Sequence, residues 1–277
     1  MTTTTTATAA DANPASMPED KPLLLTERAI KASRKSHDKS DALVNLKLAL
    51  VLTDRALYAE AVSLFVPIYE TIEAILEEKK DHPQFKKIYP LLKDLRRSGR
   101  FQKDVDFLLP NDADRTALEH RRKPTHKTYS PPELQDYVAH LRSLADKDSM
   151  AFLAYVQMMF MAVFAGGFMI KRMVRTAFSL SKTNDNGVNG FCVDEGVEVF
   201  RLRKEFKRII NEELTLTAEE QDLVVAEATQ VFERNNRLVA TIQGSSVFAK
   251  TQLNCLLMSS GVFLTVLAIG IAAIQFK

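Results

Sequence analysis

SMAFLAYVQMMFMAVFAGGFMI, from Ser149 to Ile170, has no charged side chain and carries two adjacent glycines, Gly166 and Gly167. The stretch is otherwise full of good helix formers, and each glycine inside a helix costs about 0.5–1 kcal/mol relative to alanine. A doublet therefore needs a reason. Spacing alone allows two: a kink or tight helix–helix contact, or a flat ligand lying against bare backbone. The run is also long enough to cross a bilayer, and hydropathy does not separate a span from a helix buried on every side by protein and ligand. Lys147, Asp148, Lys171, Arg172 and Arg175 flank it, so charge asymmetry assigns it no orientation.

Outward from this stretch, no strand pattern stands out; apolar residues recur with helical periodicity and prolines punctuate between segments. Helices are predicted over 24–37, with Thr26 as N-cap, and over 42–52. A third, amphipathic, runs over 55–79 with Leu57, Ala61, Leu64, Ile68, Ile72 and Ile75 on one stripe and a kink at Pro67. Short helices follow after Pro83 to about Ser98-Gly99 and over 101–109, then a polar loop from Pro110 to Pro132. Helix returns over 132–144 with proline in its first turn. A Gly/Asn loop over 183–190 precedes helices over 197–213 and 218–243, the last capped by Thr217 ahead of Glu219-Glu220. The product is an all-α domain of eight or nine helices.

The chain has 277 residues, with 37 Lys+Arg against 35 Asp+Glu. That balance offers no electrostatic footprint for nucleic acid. The basic clusters Arg96-Arg97-Ser-Gly-Arg100 and His120-Arg121-Arg122-Lys123 read as solvated loops or helix ends, with a docking face for an acidic partner as the alternative. Two cysteines, Cys192 and Cys255, form no disulfide framework or zinc spacing. Residues 1–22 are a Thr/Ala-rich tail without the features of a signal peptide. Residues 23–243 form the helical domain and 244–250 a short linker. Residues 251–277 are uncharged until the terminal lysine and are expected to form a C-terminal transmembrane anchor. The linker reaches at most about 25 Å, which would hold the domain close to the bilayer.

The order of these landmarks resembles the heme oxygenase family from about Leu24 to Gln243. ERAIKASRKSHDKSDAL supplies a first helix with a histidine, and LFVPIYETIEAILEE the aromatic amphipathic helix. HPQFKKIYPLLKDLRRSGRFQKDVDFL and YSPPELQDYVAHLRSL are similar to the segments that follow. MAVFAGGFMIK falls where the family has its glycine-rich distal helix, closest to the fungal, membrane-anchored branch. RLRKEFKRIINEELTLTAEEQDLVVAEATQVFERN resembles the closing helices.

The resemblance implies heme as both substrate and cofactor, opened with dioxygen to biliverdin, carbon monoxide and ferrous iron. It implies electrons from NADPH through a cytochrome P450 reductase in the same membrane. It also implies an endoplasmic reticulum address with the catalytic domain in the cytosol. His37 is then the axial ligand of the heme iron, a role suited to neutral imidazole. Gly166 and Gly167 let the distal backbone approach the porphyrin, with Phe160, Met161 and Phe164 as apolar surroundings. Propionates need cations, which Arg203 and Lys207, four apart on one helix face, would supply with help from Arg28 or Lys31; Lys204 and Arg208 are spaced equally. Val163 stands where the family's common motif has an aspartate, with Ala162, Ala165 and Phe168 at other small or polar positions. The remaining histidines, 82, 120, 126 and 140, read as solvated. Two alternatives stay open: a non-catalytic heme-binding or adaptor membrane protein, and a di-iron oxidase using carboxylates such as Glu70 and Glu73.

Overall fold

The computed structural model describes residues 22–110, 131–147 and 149–242. The tail, the linker, the apolar segment 251–277, His120 and His126 lie outside the described residues. Among the described residues there are helices and no strand: α1 (Leu25–Val51), α2 (Arg55–Ser63), α3 (Val66–Glu78), α4 (Phe85–Ile88), α5 (Leu92–Leu95), α6 (Ser98–Leu108), α7 (Pro132–Asp146), α8 (Phe152–Ala177), α9 (Val199–Arg208) and α10 (Ala218–Ala240).

Several predicted boundaries move, each for a local reason. The first two helices are one: residues 38–41 contain neither Gly nor Pro, and the Ser40 hydroxyl donates to Asn236 on α10 at 2.6 Å. Thr26 is not the N-cap. It lies buried in the first turn, where its backbone N–H and hydroxyl both pair with the Asn211 amide. Pro67 does not kink a helix but begins one, occupying the first turn of α3 where its missing N–H leaves no bond unmade. Between α9 and α10 the chain passes through a π-helical turn, Ile209–Glu213. Thr217 caps α10 as expected, its hydroxyl accepting from Glu220 while the Glu220 carboxylate accepts from the Thr217 N–H.

α1 and α10 lie side by side and parallel. Arg28 meets Asp222, Ala32 meets Thr229, Ser40 meets Asn236 and Lys47 meets Ile242, in register along both chains. α8 is the axial element. Every residue from Phe152 to Phe160 is buried, under α3, α7 and α10. Tyr69 donates to the Met159 carbonyl at 2.9 Å, and Tyr137 packs edge-on to Tyr155. Burial of side chains such as Phe152 and Phe160 stabilises the fold by about 1.5–3 kcal/mol each. α8 is long and apolar enough to cross a membrane, but half of its most apolar window is enclosed by protein, and its N-terminal half forms the centre of the core. From Met161 onward one side of the helix opens outward, and the site lies there.

Candidate functional site

The glycine doublet divides into two roles. A Cβ on Gly167 would meet the Phe191 ring at 3.0 Å, so this glycine admits the 3₁₀ turn Asn189–Phe191 against α8. A Cβ on Gly166 would meet nothing within 4 Å. Successive residues on a helix are about 100° apart, so the face bearing Gly166 also carries Met159, Ala162, Met169 and Met173. Ala162, Met169 and Met173 are exposed. The middle of this face, Ala162 and Gly166, presents nothing larger than a methyl group, with exposed Ala165 at its edge and longer apolar chains beyond it.

The same geometry corrects two expectations. Phe164 is two residues from Gly166 and points nearly opposite to it. Its ring lies under the wholly buried guanidinium of Arg97, 4.9 Å from ring centroid to Cζ. Phe160 is fully buried, packed on Tyr69. Both phenylalanines support α8 from behind and do not line its open face.

α10 packs against both α8 and α1 and joins the two helices. Phe232 of α10 packs edge-on against His37, Asn236 accepts from Ser40, and Asn235 donates to the Met159 sulfur at 3.4 Å. His37 is half exposed. Its Nδ1 lies 3.4 Å from Asp41 and 3.9 Å from Asp38, leaving Nε2 without a polar partner among the described residues. Nε2 is therefore the ring nitrogen open to a metal.

The cations separate by their partners. Arg28 is committed to α10, with Nη1 3.0 Å from Gln221 and Nη2 2.5 Å from Asp222. Arg208 is held by Glu205 and Glu213 at 2.7 and 2.5 Å, which raises its pKa further. Arg203 keeps a buried Nε without a partner, and Lys207 is exposed. Of the two equally spaced pairs, Arg203 and Lys207 are the one left available among the described residues.

Several residues of the site carry no sequence signal. Gln157, 2% exposed, leans toward Thr26 of α1 and keeps a buried Oε1 with no partner. Beneath α8, Tyr137 donates to Asn235 Oδ1 at 3.0 Å and lies 3.6 Å from the Met159 sulfur. Asp104 accepts from the Asn189 N–H, its side-chain amide and the Gly190 N–H at 2.7–2.9 Å, pinning the turn that carries Phe191. Burial outweighs these donors and pushes its pKa up to about 6. Glu73 caps α6, accepting from the Arg97 and Ser98 N–H groups and the Ser98 hydroxyl. That use removes it from a di-iron set, and no group of three or more metal-ligating side chains occurs among the described residues. His140, expected to be solvated, is bound to Glu227 at 2.7 Å.

A small cleft lined by Leu24, Leu25, Ile210, Asn211 and Gln221 sits at the start of α1, about 18 Å along the helix from His37. It is separate from the open face of α8.

A family model described as heme oxygenase matches residues 24–241. Among curated proteins, the heme-binding protein HMX1 of Saccharomyces cerevisiae is 22% identical over 233 residues, covering 76% of this chain and 72% of the relative. The heme oxygenase of Porphyra purpurea is 25% identical over 214 residues, covering 77% and 84%. Among solved structures, heme oxygenase 2 from Chlamydomonas reinhardtii without heme superposes with a TM-score of 0.72 at 32% identity, over 81% of this chain and 100% of that one. Heme oxygenase-1 from Synechocystis in complex with heme gives 0.68 at 19% identity, over 86% and 99%.

Proposed function

Because the chain belongs to the heme oxygenase family, we propose that it holds heme between α1 and α8 and opens it oxidatively, releasing biliverdin, carbon monoxide and ferrous iron. The observation that carries this reading is the backbone of Gly166, open to space on the face of α8 whose stripe is tied through α10 to His37. Residue types fit the ligand. His37 offers Nε2 to the iron, with Asp41 steadying Nδ1. Ala162, Ala165 and Gly166 accept a flat macrocycle. Arg203 and Lys207 hold propionates.

Bound heme supplies the iron centre at which dioxygen is activated. The chain must supply position, dryness and protons. Val163 and Ala165 carry no proton, so the distal helix delivers none from its own side chains. The polar groups that remain are beneath it: the Tyr137 hydroxyl and Asn235 amide, joined at Met159. Burial raises the Tyr137 pKa well above that of a free phenol, so this hydroxyl stays protonated and keeps its bond to Asn235. We expect slower turnover than a distal carboxylate would support.

Electrons come from NADPH through a cytochrome P450 reductase, and the address is the endoplasmic reticulum membrane, held by residues 251–277 with the domain in the cytosol. A second reading, a heme-binding protein without turnover, is favoured by one observation: the lack of an ionisable side chain at positions 162–168. Single-turnover reconstitution with heme, reductase and NADPH decides between them. Biliverdin and carbon monoxide are the expected products; a stable heme spectrum or bleaching without biliverdin supports the second reading.

A further inference from the structure

One cluster of titratable groups lies outside the proposed site and joins three helices. The Glu227 Oε1 atom on α10 accepts from the Tyr155 hydroxyl of α8 at 2.7 Å and lies 2.7 Å from His140 Nε2 of α7. Tyr155 is wholly buried, whereas the His140 and Glu227 side chains are 24% and 15% exposed. Inward, the Tyr155 ring meets Tyr137 at 5.7 Å between centroids and 60° between planes. Tyr137 reaches Asn235 and the Met159 sulfur, on the α8 stripe that carries Gly166. An aromatic and thioether series therefore runs from beneath the cleft to a partly exposed histidine. Its outer phenol has a base in contact.

We propose that Tyr155 is a redox-active tyrosine, giving an electron inward through Tyr137 and its proton to Glu227. The inference rests on the heme-binding reading and adds a peroxidase-type activity to it. The oxidant is hydrogen peroxide acting at the bound heme, and the reductant is a one-electron donor of the phenol or ascorbate class. One electron leaves the Tyr155 phenol, its O–H bond breaks, and the proton passes to Glu227 Oε1. The donor then returns one electron and Glu227 returns the proton, while the donor's own proton leaves through His140. Two cycles supply two electrons, and with two protons the O–O bond of one peroxide breaks to give two waters. Burial keeps the Tyr155 hydroxyl protonated, so electron loss requires the proton acceptor that Glu227 provides.

The test is freeze-quench electron paramagnetic resonance of the full-length, detergent-solubilised, heme-loaded chain after hydrogen peroxide. A tyrosyl radical is expected. Tyr155→Phe should abolish it or replace it with a signal of different hyperfine splitting from Tyr137. Glu227→Gln, which keeps an acceptor oxygen but no base, should slow radical formation about a hundredfold, the lower end of a positioned base's contribution. Heme uptake and thermal stability of both variants are measured first. Failure of the chain to bind heme at all overturns the heme reading and the relay with it. Normal heme loading with the same radical in wild type, Tyr155→Phe and Glu227→Gln overturns the relay alone.

Discussion

Asp41 is the carboxylate nearest the His37 imidazole. Its carboxylate stands one helical turn from the imidazole, 3.4 Å from Nδ1, and a ligating histidine is tuned by what its other nitrogen touches. His37→Ala is expected to abolish or displace the Soret band of reconstituted protein. Asp41→Asn should retain the band while lowering heme affinity about tenfold, read by heme titration. An unchanged spectrum in His37→Ala would assign the iron to another ligand. At this scale the sequence was legible only through family position: a helical histidine beside Lys35 and Asp38 has the pattern of a surface residue. Gln157, Tyr137 and Asn235 were not legible. Their significance comes from partners 98 to 131 residues away in the chain, and no local spacing encodes those. Phe160 and Phe164 were misread because apolar type says nothing about azimuth, whereas the count from Gly166 does.

The two glycines of α8 make opposite predictions although they are adjacent. Gly166→Ala adds a methyl group into open space, so the heme-free protein should gain about 0.5–1 kcal/mol from helix propensity, while heme uptake weakens. Gly167→Ala presses on Phe191 at 3.0 Å, which should offset that gain and loosen the Asn189–Phe191 turn. Chemical denaturation and heme titration of the two variants check both statements. The turn has its own pH dependence. The folded-state pKa of Asp104 is raised to about 6, so its contribution to stability is fully present below pH 4 and is lost as pH rises through 6. Asp104→Asn should flatten that part of the stability profile between pH 4 and 6, seen as the difference between the two thermal-denaturation series. Elements were the most legible level of this protein. Helical periodicity located nearly all of them, and the errors fell where tertiary contacts override local pattern. Ser40 bridged to Asn236 keeps α1 continuous, and the π turn at 209–213 is invisible in composition.

As a whole molecule the chain is a helical domain whose central helix is protein-buried in one half and open in the other. The fold class followed from apolar spacing. The cleft did not, because it depends on α10 lying parallel to α1 and reaching under α8. Deleting residues 251–277 is expected to leave a soluble, folded domain that still binds heme; its recovery in the carbonate-resistant membrane pellet would instead assign α8 to the bilayer. The proposed chemistry depends on heme lying on the open face of α8 against Gly166. Heme titration of wild type beside Gly166→Leu tests it most directly, with folding followed by circular dichroism. The expected result is saturation at one heme per chain in wild type. In Gly166→Leu, affinity should fall by at least about tenfold, or 1.4 kcal/mol, with helical content unchanged. Equal affinity in the two proteins would contradict the placement of heme at this face.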